Sequence, residues 1–74
     1  MSTLTVIRKG RFNGTRLYQR RLELGLSLER VGARIRRNIA SIHGWETGKH
    51  QPTPRSLYLL SQALRVKPHY FFEQ

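Results

Sequence analysis

Between Asn38 and Gly48 the chain reads NIASIHGWETG, a stretch whose two ends fix the length of a helix. Asparagine caps a helix start because its side-chain oxygen accepts from free backbone N–H groups of the first turn, and glycine ends one because it tolerates a left-handed conformation. About two and a half turns fit between them. On that helix Ile42 and Trp45 share one face at a spacing of three, while Ser41, Gly44 and Thr47 lie elsewhere. The apolar face must look inward, so the remainder of the chain reads as a scaffold holding this helix with its small, polar face outward.

That scaffold is slight. Seventy-four residues make one small domain, near the lower limit for a core without staples, and the absence of cysteine excludes disulfides and thiolate metal sites. His43, His50 and His69 are too scattered for a ligand set, so they read as surface histidines, and neither a cofactor nor a small-molecule ligand is expected. No apolar run approaches ~20 residues and no long apolar leader opens the chain, which gives the expectation of a soluble cytoplasmic protein without membrane spans. Fourteen Lys and Arg, mostly Arg, stand against four acids, for a net charge of +10. Arginine's planar fork suits phosphate and base edges, so nucleic acid is the leading partner; a solvated basic face and an anionic membrane surface are the plainer alternatives.

In chain order, residues 1–11 form a basic N-terminal arm or a short strand. Leu4 and Val6 alternate with Thr3 and Thr5 ahead of Arg8, Lys9 and Arg11, and a lone strand would have to pair with a second chain or lie over the domain. Residues 12–74 hold the folded domain. Helix 1 covers Gly14 to Leu24, with Leu17 and Leu22 on or near one face and Gly25 as its stop. Ser27 caps helix 2, LERVGARI, in which Leu28, Val31 and Ile35 recur at helical spacing. Arg36 and Arg37 make a very short turn before Asn38, and Gly32 sits where a close approach to helix 3 requires a residue without a side chain. After Gly48, KHQPTP is a loop; Thr53 caps and Pro54 begins a fourth helix, PRSLYLLSQALRV, with Leu57, Leu60, Ala63 and Leu64 inward. HYFFEQ is expected as a fifth short helix, its Phe71 or Phe72 closing the core. Tyr18, Trp45, Tyr58, Tyr70, Phe71 and Phe72 all read as core aromatics, and the fold class is all-α.

These residues, taken in order, resemble a known family. G-L-S at Gly25 to Ser27, I-x-x-W-E-x-G at Ile42 to Gly48, P-T-P at Pro52 to Pro54 and A-L-x-V-x-P-x-Y at Ala63 to Tyr70 are similar to the helix-turn-helix domains of the lambda repressor and Cro type, also called XRE-like, over about Phe12 to Phe72. The opening F-N-G-T-R-L resembles members that precede a zinc-peptidase domain, although no H-E-x-x-H occurs here. The resemblance implies a lambda repressor-like fold and a homodimer on double-stranded DNA, with helix 3 in the major groove. By position, it implies that Asn38, Ile39, Ala40, His43 and Gly44 face base edges, and that Lys49 and the loop to Gln51 meet phosphate. Arg30, Arg36, Arg37 and Thr47 complete the expected contact set. It also implies that Arg21 of helix 1 bonds Glu46, a structural pair beside the structural Trp45 and Gly32.

Three departures stand out. Leu28 replaces the polar glutamine with which the family usually begins helix 2, Arg36 replaces the usual turn glycine, and Ile39, Ala40 and Gly44 offer no side-chain hydrogen bond. A non-glycine residue at a positive φ is strained, so a wider turn at Arg36 is one outcome and an additional phosphate contact another. Readout then falls to Asn38, His43 and apolar contact with thymine methyls, favouring A·T-rich sites, with guanidinium contacts left to Arg36, Arg37 or the arm.

The function expected is a DNA-binding transcription regulator. The rival is a protein-interaction module that docks through Ile39 and Ala40 onto a partner such as a polymerase subunit or a toxin. No enzyme is expected, because besides Glu46 the only acids are Glu23, Glu29 and Glu73, with no nucleophile and base positioned to converge with them.

Overall fold

The computed structural model describes residues 11–73, so nearly all of the arm or strand expected over residues 1–11 lies outside the described residues. Four α-helices follow one another: α1 (Gly14–Glu23), α2 (Leu28–Ile35), α3 (Ile39–Thr47) and α4 (Pro54–Ala63). A 3-10 segment, η1 (Pro68–Phe72), takes the place of the fifth helix expected from the sequence. It carries three aromatics in succession, of which Phe71 is fully inside while Tyr70 and Phe72 are half-buried.

Each helix begins on the cap its sequence supplies. Ser27, Asn38 and Thr53 accept from the N–H of Arg30, Ser41 and Ser56, three residues on, and Pro54 fills the first position of α4, where a missing N–H costs nothing. Asn13 does the same for α1, accepting from Thr15 N–H at 3.0 Å. Asn13 also closes the chain on itself: its backbone N–H donates to Phe71 O at 2.7 Å and its side-chain amide to Glu73 O at 3.1 Å. Phe12, buried just before it, stacks on Phe71 with ring centroids 5.2 Å apart.

Helix α1 packs across α3, α2 lies against α3 and α4, and η1 closes on α1 and α4. Leu17, Val31, Ile35, Ile42, Trp45, Leu60, Leu64 and Phe71 make the centre of the core. The crossing of α1 on α3 is close enough that a Cβ on Gly14 would collide with the carbonyl oxygens of Trp45 and Glu46. A Cβ on Gly32 would stand 2.7 Å from Arg37 O and 3.5 Å from Ile42 Cδ1.

Several expectations need correction. Helix α4 ends at Ala63, not Val66, because Arg65 turns into the left-handed region (φ 58°) and Val66 N–H reaches back to Ser61 O at 3.0 Å. Leu22, Tyr18 and Tyr58 are about half exposed and lie outside the core: Leu17 alone of the α1 apolar residues is fully covered, Tyr18 and Leu22 share an outer face four residues apart, and Tyr58 lies on the far side of α4 from Leu60.

Candidate nucleic-acid interface

Helix α3 presents one continuous outer surface. Ile39, Ala40, His43 and Thr47 are exposed and recur at spacings of three and four, while Ile42 and Trp45 face the core. Asn38 stands at the head of this surface, where its oxygen is committed to the cap at 2.8 Å from Ser41 N and its amide nitrogen remains a free donor among the described residues. Thr47 donates its hydroxyl to His43 O at 3.0 Å and Gly44 O at 3.3 Å, so what it shows outward is chiefly its methyl.

Gly44 does not share in this surface as expected. It is buried, and the imidazole of His50 lies over it so closely that a Cβ on Gly44 would collide with Nε2 and stand 2.6 Å from Cε1. The fold-back begins at Gly48 (φ 81°), after which Lys49 N–H donates to Gly44 O at 2.9 Å and His50 N–H to the same oxygen at 3.4 Å.

The turn into α3 is not widened. Arg36 adopts the left-handed conformation outright (φ 59°, ψ 48°), and both Arg36 and Arg37 return N–H groups to Gly32 O. A surface cleft beside the turn is lined by Glu29, Gly32, Ala33, Arg36, Asn38 and Ile39, so the Arg36 side chain borders the head of α3.

Behind this surface lies the pair that fixes α3 to α1. Arg21 Nε donates to Glu46 Oε2 at 2.6 Å and Nη2 to Oε1 at 3.1 Å, with side chains only 10 % and 5 % exposed. Arg21 Nη1 also donates to Leu26 O at 3.0 Å. The hydrogen bonds to Glu46 hold the guanidinium above its ordinary pKa against the opposing effect of burial. Its charge is therefore constant over the working range of pH.

A family model described as Helix-turn-helix matches residues 17–71. The chain belongs to the helix-turn-helix family, in its XRE-type branch. A search among curated proteins returns no match. Two solved structures are similar over 78 % of this chain and 88 % of their own. One is the P22 c2 repressor in complex with synthetic operator 9T in the presence of Tl+, with a TM-score of 0.76 at 29 % identity. The other is the restriction-modification controller protein C.AhdI from Aeromonas hydrophila, with a TM-score of 0.75 at 26 % identity.

In this helix-turn-helix domain the cations divide into two groups. Arg16 donates to Tyr70 O at 3.2 Å, pairs with Glu73 and lies 4.1 Å over the Tyr70 ring; Arg20 donates to Leu64 O at 2.9 Å and to Glu23. Arg34 reaches Ala63 O, and Arg37 donates through Nε to Ser56 Oγ at 3.1 Å and through Nη1 to Arg36 O at 3.1 Å. These four tie the helices together. Arg30, Arg36 and Lys49, by contrast, make no side-chain bond or ion pair among the described residues, and neither do Arg11, Arg55, Arg65 and Lys67.

Leu28, in the position of the family's glutamine, is half-buried and lines a hollow with Thr15, Tyr18, Arg21, His43 and Glu46. The residues sequence reasoning missed here are Ser56, buried and receiving Arg37, and His50 over Gly44. The first joins residues nineteen apart and the second depends on a loop folding back, and neither leaves a periodic trace in the sequence. Among the described residues no group of three His, Asp or Glu could hold a metal, and no helix is long and apolar enough to cross a membrane.

Proposed function

We propose that the chain is a transcription regulator that inserts α3 into the major groove of double-stranded DNA and binds as a homodimer to a two-part site. The carrying observation is the coincidence of a helix-turn-helix fold with cations unengaged by the protein itself on either side of α3: Arg36 in the turn before it and Lys49 after it, with Arg30 a further one on α2. Unpaired cations at both ends of an exposed helix can meet phosphates on either side of a groove, while the helix face between them meets the bases. The synthetic operator bound by the similar P22 c2 repressor supports the same reading.

On this reading Asn38 offers an amide donor to a base edge, His43 an imidazole, and Ile39 and Ala40 apolar contact with thymine methyls. Arg37 has a mixed role: Nε is bonded to Ser56 and Nη1 to the carbonyls of the turn, while Nη2, without a bond among the described residues, is left for phosphate.

Selection of bound duplexes from a random pool tests the proposal. Enrichment of a palindrome with half-sites about 34–36 Å apart is the expected result, since a two-fold dimer spaces its helices by one turn of DNA. A domain that docks on protein through Ile39 and Ala40 would enrich nothing, and its retention of duplex would show no sequence dependence at any salt.

A further inference from the structure

We propose that His50 reads a base edge in the major groove, in place of the side chain that Gly44 lacks. The proposal rests on the reading of α3 given above and adds to it a reading group that does not belong to the helix.

Gly44 lies one helical turn beyond Ala40 and three residues before Thr47, at the rim of the exposed surface. A side chain at this position would project beside those of Ala40 and Thr47. The position is occupied all the same, because His50 Nε2 stands where a residue-44 Cβ would start, followed by Cε1 at 2.6 Å. The tip of the imidazole thus takes the place of the missing side chain. It is held there by backbone: Lys49 and His50 N–H groups both end on Gly44 O, and Pro52 limits the chain beyond.

Two further facts make the ring a reader and not mere filler. His50 is exposed, and neither ring nitrogen has a hydrogen-bond partner among the described residues. Nε2 is the vertex turned to Gly44, so Nδ1 is the nitrogen left to meet a base, a donor when it carries the proton and an acceptor when it does not. The donor suits N7 or O6 of a purine, groups displayed in the major groove. The glycine is then explained as well: any larger residue at position 44 would expel the ring from the face.

The test compares the full chain with His50→Ala and His50→Phe, by selection from random duplexes and by titration of the selected site and of an unselected duplex over a range of salt. Phenylalanine keeps a ring against Gly44 and removes its hydrogen bonds, and melting curves confirm that each variant is folded. Both variants should bind the selected site about tenfold more weakly, as expected for one lost base contact. Both should lose preference at one base pair per half-site, with the salt slope unchanged. Equal weakening on all duplexes with a shallower slope would make His50 a phosphate contact, and an unchanged preference would make it packing alone; either overturns the proposal. Failure of the underlying reading shows separately, as no enriched sequence for the unaltered chain.

Discussion

Arg21 and Glu46, twenty-five residues apart, meet in a two-pronged ion pair that is almost wholly enclosed between α1 and α3. A pair so placed is an orienting device: two parallel bonds between planar groups fix rotation as well as distance, and Glu46 sits one residue from Trp45 on the helix that carries the outer surface. Its two members are unequal when separated. Arg21 keeps Leu26 O, whereas Glu46 is left with a covered carboxylate and no other side-chain partner among the described residues.

Arg21→Ala should therefore be the worse of the two single changes. Breaking a buried pair costs about 3 kcal/mol or more, equivalent in a domain of this size to a fall in Tm above about 10 °C. The double variant should cost less than the sum of the singles by on the order of 2 kcal/mol. Thermal unfolding of the four proteins measures this, and strict additivity would show that the pair contributes no coupling.

At Arg36 stability and binding should part company. A left-handed non-glycine residue carries about 1 kcal/mol of strain, which Arg36→Ala retains and Arg36→Gly relieves. The glycine variant should melt above the alanine variant by about 4–8 °C, and both should lose the same phosphate contact, lowering the salt slope of DNA affinity by about 0.9. Equal melting temperatures would mean that the turn relaxes without strain, and an unaltered slope would remove Arg36 from the interface.

Arg30 and Arg37 provide the complementary comparison. Arg37 bonds Ser56 Oγ and the carbonyls of the turn, so Arg37→Ala should lower Tm through the loosened contact of α2 with α4, whatever it does to DNA. Arg30, exposed and unpaired among the described residues, should leave Tm within about 2 °C on change to alanine and reduce the salt slope by about 0.9. Melting and titration on the same samples decide whether the two cation groups are distinct.

What the sequence discloses and what it withholds divide along a physical line. Caps, stops and the inward face of α3 are local: Ser27, Asn38, Gly48, Thr53 and Pro54 act within one turn of their own positions, and each does what its side chain dictates. The Arg21–Glu46 pair is legible only through the family resemblance. The partners of Arg16, Arg20 and Arg37 lie 57, 44 and 19 residues away, and nothing local distinguishes such an arginine from Arg30. Likewise the end of α4 at Arg65 defies periodicity, because a left-handed arginine carries no glycine to announce it. Position alone points Gly44 outward, and only the folded loop reveals His50 above it.

Trp45 and Gly14 form a paired test of the α1–α3 crossing. Trp45 is 5 % exposed, and Trp45→Ala should cost about 3–5 kcal/mol through lost burial and a cavity. Gly14→Ala adds a single carbon, yet that carbon meets two backbone carbonyls that cannot rotate away, so it should cost more than about 2 kcal/mol where an exposed helical Gly→Ala change would stabilise. Chemical unfolding gives both values. A Gly14→Ala protein as stable as the unaltered chain would mean that α1 shifts freely along α3.

The last prediction concerns the apolar head of α3. Ile39 is 40 % exposed, large for a helix position with nothing of the protein upon it, and it borders a cleft whose other walls include Ala33 and the Asn38 backbone turn. In a major groove such a surface has one matching group, the thymine C5-methyl, since every other base-edge feature is polar. Burying one methyl is worth about 0.8 kcal/mol, or roughly fourfold in affinity. Replacing thymine by uracil removes that methyl and leaves the pairing and phosphates intact. Substituted one position at a time through a selected site, uracil should weaken the unaltered protein roughly fourfold at one or two steps per half-site, and Ile39→Ala should erase the difference at one of them. Insensitivity to uracil at every step would show that Ile39 meets no base, and the specificity would then rest on Asn38, His43 and the deformability of the duplex.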